Sequence, residues 1–383
     1  MQRLLKWIGT MLLFLVVAIC LAPTFLPPFL DRIYYRGPVS DHFDGTRFFN
    51  PDASAEEAGR QAARGSLLLK SWARGERASW PEQLPVRQSV PPPRVAGDAM
   101  LVTWIGHASV LIQTQGLNIL TDPVWSERVS PFSFIGPTRV RAPGVAFDRL
   151  PKIDLVLVSH NHYDHLDLAT LARLWKRDRP LIVTPLGNDT ILKAEGVASM
   201  AADWGGRVPV RDGIDVLVER NHHWSSRWGA DRNRALWSAF TVRLPGGNIF
   251  FAGDTALGDG MWIRQAAAHG PVRFAMIPIG AYEPRDFMKS HHVNPEEAMA
   301  IFAGLDPGMA LGIHWGTVQL TNEAIDDPPR RIAALRRARG LQAGRFVTPP
   351  PGASFRVPKM LSLVAPRGRV PSADPDKRRA RSR

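Results

Sequence analysis

Three histidines and one aspartate fall within six residues of this chain, at His160, His162, Asp164 and His165, in the pattern H-x-H-x-D-H. Alternate residues of an extended segment point to the same side, so His160 and His162 can converge on one ion while Asp164 and His165 turn towards another. A polar turn held by local hydrogen bonds is the alternative, but turns favour glycine, proline and asparagine over clustered imidazoles. The pattern therefore predicts two neighbouring metal sites.

The residues that flank this cluster indicate where it lies in the fold. Residues 153–158 form an apolar run typical of a buried strand, and residues 166–175 have a helical pattern. The cluster is therefore expected in a loop at the C-terminal end of a strand.

Strands and helices alternate along both halves of the chain, which predicts an α/β (α+β) fold. Further strands are expected at 101–104, 110–114, 118–121, 181–184, 214–218, 240–244, 249–252, 274–279 and 309–313, and helices around 55–72, at 294–304 and at 329–340. Asn294 can cap its helix and Pro295 suits the first turn.

Composition narrows the possible partners. The single cysteine, Cys20, excludes an internal disulfide and zinc sites made of thiolates. The formal net charge of +13 favours anionic partners, namely nucleic acid, acidic lipid head groups or phosphorylated substrates. Part of this charge is concentrated in residues 377–383. A run of this kind is more commonly a solvated tail, and a specific binding arm is the alternative.

The N-terminal region contains an uncharged stretch, residues 7–30, preceded by Arg3 and Lys6 and interrupted by three prolines. It predicts a single uncleaved membrane anchor, with a cleaved signal peptide as the alternative, although no clear small-x-small cleavage site follows it. Positive charges flank the stretch on both sides, so membrane sidedness stays open.

Several short blocks resemble the signature of the metallo-β-lactamase-fold hydrolases and, more closely, of their N-acylphosphatidylethanolamine-hydrolysing phospholipase D branch. The blocks are residues 41–45, 103–109, 159–165, 223–224, 253–255, 292–298 and 314–317. This resemblance implies an αββα sandwich. It divides the chain into a membrane anchor or signal segment (1–30), a wrapping or cap region (31–97), a catalytic domain (98–358) and a basic disordered tail (359–383).

The resemblance also implies the remaining ligands of a centre with two Zn²⁺ ions. His223 would complete the first site, His314 the second, and Asp254 would bridge the two ions. His222 competes with the adjacent His223, and the His-Trp block selects His223. Asp122, which follows a strand, matches the acidic residue that orients a ligand histidine in this family.

Catalytic roles follow from the same blocks. Asp254 would also accept a proton from the attacking water. His292 would contact a developing oxyanion or protonate the leaving group, with a capping or core role as the alternative. Tyr163 would face a substrate phosphate or pack on the adjacent helix. The apolar loop at 129–137 would border an acyl-chain pocket or merely cover a core. Four other histidines are expected to be structural, surface or orienting groups: His42, His107, His269 and His291.

The function implied by the resemblance is zinc-dependent hydrolysis of N-acylphosphatidylethanolamine to an N-acylethanolamine and phosphatidic acid through a metal-bridging hydroxide. The expected partners are a phospholipid substrate and an anionic membrane surface, with no nucleic acid, and the family suggests a homodimer. Alternatives that keep the metal centre are a lactonase, a β-lactamase, a sugar-phosphate hydrolase and a nuclease. A tethered metal-binding protein without activity is the alternative outside enzymes.

Overall fold

Two seven-stranded β-sheets form the body of the protein in a computed structural model, which describes residues 2–53, 71 and 74–360. The strands are β1 (Met100–Gly106), β2 (Ser109–Thr114), β3 (Leu117–Thr121), β4 (Leu155–Leu157), β5 (Leu181–Pro185), β6 (Met200–Ala202), β7 (Arg207–Arg211), β8 (Ile214–Glu219), β9 (Ala239–Arg243), β10 (Asn248–Phe251), β11 (Val272–Pro278), β12 (Met309–Ile313), β13 (Phe346–Val347) and β14 (Ser354–Val357). Their order is β14-β1-β2-β3-β4-β5-β6 in one sheet and β13-β12-β11-β10-β9-β8-β7 in the other.

Helices cover the outer faces of the two sheets. They are α2 (Leu168–Asp178), α3 (Asn188–Ala194), α4 (Met261–Ala268), the short α5 (Arg285–Met288), α6 (Pro295–Leu305) and α7 (Asp327–Ala338), and α1 (Gln2–Leu30) precedes the body. A 3₁₀ turn spans Phe147–Arg149. The predicted αββα arrangement is therefore present.

Alternation along the strands explains this layering. Val110 and Ile112 of β2 belong to the main core, which both sheets share, whereas Leu111 belongs to a second cluster with Leu171 and Leu174 of α2. Because successive side chains of a strand point to opposite faces, a fully apolar strand can serve a sheet that is buried on both sides.

Local capping fixes where the helices beside the site begin. Asp167 caps α2 by accepting a hydrogen bond from the backbone N–H of Thr170. Asn294 and Glu297 form a reciprocal capping box at the start of α6, with Pro295 in its first turn, which confirms the expected cap.

The pattern of strands confirms most of the sequence expectations. Each of the predicted strands is present with ends that differ by at most two residues, and the strand expected over 153–158 is shortened at both ends to Leu155–Leu157. The sequence analysis missed four short strands, β6, β7, β13 and β14, and three helices, α3, α4 and α5. The helix expected around 55–72 and the basic tail after residue 360 lie outside the described residues, apart from Ser71.

The N-terminal segment requires a correction. Helix α1 runs from Gln2 through Pro23, Pro27 and Pro28 to Leu30. In the described residues, no helix combines the length and the apolar character needed to cross a bilayer. The predicted membrane-spanning anchor is therefore not supported.

Candidate metal centre

The predicted ligands come together where strands of both sheets end. The cluster of residues 160–165 follows β4, His223 follows β8, Asp254 follows β10 and His314 follows β12. The side chains of His160, His165, His223 and His314 are almost completely buried. The fold thus gathers residues from four separate parts of the sequence in one buried site.

One carboxylate oxygen of Asp254 lies at the centre of this group. Its Oδ2 is 3.0 Å from Nε2 of His165 and 3.1 Å from Nε2 of His314. The Nε2 atoms of His223 and His160 lie 3.9 Å and 4.0 Å from the same oxygen. Asp254 therefore faces both halves of the histidine set, as a bridging carboxylate would.

Among the described residues, four overlapping groups have potential ligand atoms within 4.8 Å of one another, and two of these groups correspond to the two predicted sites. The first group is His160, His162 and His223, and the second is His107, Asp164, His165 and His314. In the first group, Nε2 of His160 lies 2.8 Å from Nδ1 of His162. In the second, Oδ2 of Asp164 lies 3.3 Å from Nε2 of His314 and 3.4 Å from Nε2 of His165.

Asp122 supports the histidine cluster through side-chain contacts with His165 and Ser159. Its Oδ2 lies 2.6 Å from Nδ1 of His165 and accepts a hydrogen bond from the hydroxyl of Ser159, and its Oδ1 accepts one from the Ser159 backbone N–H. The Ser159 hydroxyl lies 2.9 Å from Nδ1 of His160. One fully buried carboxylate thus orients a histidine of each group.

The donor set fits divalent cations. Among the described residues, several buried atoms of the site have no hydrogen-bond partner, including Nε2 of His162 and Nε2 of His223. Burying such atoms without a partner costs free energy, and imidazole nitrogens with carboxylate oxygens are the donors that Zn²⁺ and related ions accept.

The electrostatics distinguish the two groups. Burial and the neighbouring His165 lower the pKa of His160 well below its usual range, and burial lowers the pKa of His162 to about 3. Burial opposes protonation of His314 as well, but the carboxylates of Asp254 and Asp164 raise its pKa to about 9. Burial thus favours the neutral form of His160 and His162, whereas the neighbouring carboxylates favour the protonated form of His314.

Backbone geometry at the site departs from the usual regions. His107, Asp122 and His314 have φ values of 53°, 28° and 62°, in the left-handed region that residues with a side chain seldom adopt. The backbone N–H of His314 donates to the carbonyl of His107. Strain of this kind persists where the surrounding structure overrides it, and it concentrates at functional sites.

Several histidines named in the sequence analysis lie around this centre in other roles. His107 places Nε2 2.9 Å from Oδ2 of Asp164. His292 lies 3.8 Å from Asp254 Oδ2, and the backbone carbonyl of His291 lies 2.9 Å from Nδ1 of His223.

The remaining histidines point elsewhere. His222 contacts the carboxylate of Asp52 at 2.9 Å and does not join either ligand group. His42 stacks on Trp204 with ring centroids 4.6 Å apart, and His269 is partly exposed.

Sequence reasoning missed two long-range supports of the site. Arg227 stacks its guanidinium 3.7 Å from the ring centroid of Tyr163 and donates to the carbonyl of Asn161, within the histidine cluster, and to that of Leu166, directly after it. Asn50 donates to the carbonyl of His223. The sequence around Arg227 and around Asn50 contains no local pattern that predicts these contacts.

A cavity of about 510 Å³ opens onto the centre. Its polar side comprises His162, Asp164, Asp254, His291 and His292, its cations are Arg227 and Arg232, and its remaining wall includes Val129, Tyr163, Trp224, Phe287, Met288 and Leu320. A ligand there would meet the histidine and carboxylate groups at one end and an apolar wall elsewhere.

The fold and this site define a metal-dependent hydrolase, and comparisons with known proteins agree. A family model described as beta-lactamase superfamily domain matches residues 117–315. The N-acyl-phosphatidylethanolamine-hydrolyzing phospholipase D 1 of Caenorhabditis elegans is 33% identical over 344 residues, which cover 85% of this chain and 96% of the worm protein. The chain therefore belongs to the metallo-β-lactamase-fold hydrolase superfamily, in its N-acylphosphatidylethanolamine-hydrolysing phospholipase D-like branch.

More distant relatives extend the comparison. A mitochondrial N-acyl-phosphatidylethanolamine-hydrolyzing phospholipase D of Saccharomyces cerevisiae is 32% identical over 61% of this chain and 51% of the yeast protein. A metallo hydrolase from Ignicoccus hospitalis has a TM-score of 0.52 at 18% identity, covering 68% of this chain and 99% of that one. An isothiocyanate hydrolase from Delia radicum gut bacteria has a TM-score of 0.53 at 18% identity, covering 67% and 98%. These solved structures share the fold.

Proposed function

We propose that this hydrolase cleaves the phosphodiester of N-acylphosphatidylethanolamine and releases an N-acylethanolamine and phosphatidic acid. The observation that carries the proposal is the cavity, in which the buried histidine and carboxylate groups adjoin two arginines and an extended apolar wall. A diester phosphate with long acyl chains needs all three features. The similarity to the worm phospholipase D over most of both chains supports the same substrate class.

We propose two Zn²⁺ ions as the cofactors. His160, His162 and His223 would hold one ion, Asp164, His165 and His314 the other, and Asp254 would face both. When bound, such ions polarise phosphoryl oxygens and lower the pKa of water. His107 orients the ligand Asp164, and Asp122 orients the ligand His165, each through a direct side-chain contact.

The residues around the centre have separable tasks in this proposal. Asp254 turns Oδ2 to the imidazoles, which leaves Oδ1 able to accept a proton from the attacking water. His292 faces the cavity beside Asp254 and would donate to a phosphoryl oxygen. The guanidinium of Arg227 packs on the ring of Tyr163. We therefore assign Tyr163 to the cavity wall, on the side where the substrate phosphate would bind.

The apolar wall distinguishes this function from the alternatives. Trp224, Phe287, Met288 and Leu320 would have little to contact in a sugar phosphate or a nucleic acid backbone. They can pack against the methylene groups of a lipid near its phosphate.

We further propose that the protein associates with a lipid surface. Helix α1 exposes large apolar side chains, including Trp7, Met11 and Phe14. The segment that follows α1 lies close to the cavity wall. The hydroxyl of Tyr34 donates to the carboxylate of Asp231, which is adjacent in sequence to the cavity residue Arg232. A homodimer is a further proposal, and light scattering in detergent tests it.

A panel of substrates tests the function directly. The purified protein is incubated with N-acylphosphatidylethanolamine, phosphatidylethanolamine, a soluble aryl phosphodiester and a lactone, with and without chelator, and products are identified by mass. We expect N-acylethanolamine and phosphatidic acid, lost on chelation. Turnover of the lactone alone would overturn the proposal.

A further inference from the structure

A short hairpin beside the cavity exposes apolar side chains to solvent. Arg128 and Thr138 pair as an antiparallel bridge, and the Val129 backbone N–H donates to the carbonyl of Pro137. Residues 131–137 between these arms are all exposed, and their sequence, PFSFIGP, contains no charged residue. Phe134 is 77% exposed and Ile135 58% exposed.

The tip of this hairpin is fixed in shape. The Arg128 guanidinium donates to the carbonyl of Gly136, and the backbone N–H of Phe132 donates to the hydroxyl of Ser130. The rings of Phe132 and Phe134 lie 5.6 Å apart between centroids. Gly136 has a φ of 111°, and a side chain there would meet Ser130 at 2.5 Å. The apolar groups are therefore held outwards together.

The base of the hairpin is part of the cavity wall. Val129 is buried with Val124 and Val318 and lines the cavity together with Tyr163 and Leu320. The preceding backbone N–H groups of Trp125 and Ser126 both donate to Asp167, which caps α2 immediately after the histidine cluster. The hairpin and the candidate metal centre therefore share one rigid support.

We propose that this hairpin tip, residues 131–137, inserts into the surface of a phospholipid bilayer and places the cavity at the lipid. The inference rests on the proposed lipid substrate and names how the site reaches it. An uncharged tip with two phenylalanines and an isoleucine suits the boundary between head groups and acyl chains. Val129, at the base of the hairpin, lines the cavity together with Leu320, so a lipid held at the tip would lie beside the cavity wall. The net charge of +13 favours an anionic surface.

A label placed at the tip tests this insertion directly. Cys20 is the single cysteine, so a Cys20→Ser background accepts an environment-sensitive fluorophore at Ser133→Cys, in the exposed tip, or at Asp212→Cys, an exposed control in the turn after β7. The full-length labelled proteins are mixed with vesicles of equimolar phosphatidylcholine and phosphatidylserine that carry a quencher in the acyl region. We expect a blue shift and quenching at position 133 but not at 212.

Substitutions at the tip provide the functional test. Phe134→Ser combined with Ile135→Ser removes two exposed side chains, and Val90→Ser, at another exposed apolar residue, is the matched control. We expect the double variant to lose at least about tenfold in hydrolysis of N-acylphosphatidylethanolamine in vesicles and to keep its rate on detergent-dispersed lipid, because only the surface step loses apolar burial. The control variant should match the wild type in both assays.

The outcomes separate this inference from the proposed function. An unquenched label at position 133 would overturn the insertion even if the enzyme hydrolyses the lipid normally. If light scattering instead shows that the double variant loses a dimer while the label stays in water, the tip contacts a second copy and the inference is wrong. Absence of lipid hydrolysis in both assays, with the label quenched, would contradict the substrate and leave the insertion standing.

Discussion

Asp122 lies 2.6 Å from Nδ1 of His165, and the opposite nitrogen of the same imidazole lies 3.0 Å from Asp254. The histidine is thus held between a buried orienting carboxylate and the central one. This arrangement fixes which nitrogen would face a bound cation and increases the basicity of the ring. Asp122 is therefore expected to control metal affinity without being a ligand.

Replacing Asp122 tests this arrangement. Asp122→Asn should lower metal affinity by about 10- to 100-fold, because the amide cannot accept hydrogen bonds from both His165 and Ser159 in the same way. Metal titration of the chelated protein, followed by elemental analysis, measures the change. Asp215→Asn, at a carboxylate that pairs with Arg207 and Arg243 in the outer part of the second sheet, should leave affinity unchanged. If the wild type, Asp122→Asn and Asp215→Asn all bind the metal with equal affinity, Asp122 has no orienting role.

The two ligand groups predict a metal content near two ions per chain. His160→Ala combined with His162→Ala should lower the content by about one ion, because only the first group loses its donors. Inductively coupled plasma analysis of dialysed protein checks the stoichiometry, with His269→Ala as a control away from the site. A wild-type content near zero after purification without chelator is incompatible with the two-ion centre.

Gly253 predicts a steric requirement next to Asp254. A Cβ atom there would lie 2.8 Å from Cβ of Ser159 and 3.0 Å from the carbonyl of Ser238, at a φ of 59°. Gly213 has a φ of 72° with open space around it. Gly213→Ala should cost about 1 kcal/mol from backbone strain alone, whereas Gly253→Ala should cost about 1–3 kcal/mol more because packed atoms must move. Urea unfolding of both variants compares them, and equal losses would show that the contact is easily relieved.

His42 predicts a pH dependence of stability outside the metal centre. Burial opposes protonation, but hydrogen bonds to Asp203 and Asp41 raise the pKa of His42 above its usual value of 6.5. The protonated ring therefore stabilises the folded state below pH 6.5, and this contribution is lost as the pH rises through the higher folded pKa. His42→Gln should thus lose more stability at pH 6 than at pH 9 in urea unfolding. Asp203→Asn should reduce the same pH dependence, and a pH-independent loss in both variants would contradict it.

The sequence predicted the strands and the cluster because both are local patterns. Apolar runs predicted β1 to β5 and β8 to β12, and the spacing of His160 to His165 indicated two sets of ligands. Asp254 and His314 were expected through family blocks, and the structure places both beside the cluster.

The features that were missed depend on contacts between distant parts of the chain. Strand β14 is short and pairs with β1 from the other end of the domain, and β13 has two residues. Neither strand is long enough to show a recognisable alternation of apolar and polar residues. The contact of Asp52 with His222 and that of Arg227 with Tyr163 also join separate segments. Propensity and periodicity act within a segment and carry no information about such pairings.

The central claim is that Asp254 serves a metal-dependent phosphodiesterase. Asp254→Asn and the wild type are compared on detergent-dispersed N-acylphosphatidylethanolamine, with fold checked by circular dichroism and N-acylethanolamine and phosphatidic acid quantified by mass spectrometry. We expect a folded variant that is at least about a hundredfold slower, because a positioned proton acceptor and a central negative charge are lost together. An Asp254→Asn protein that releases N-acylethanolamine at the wild-type rate would contradict the account.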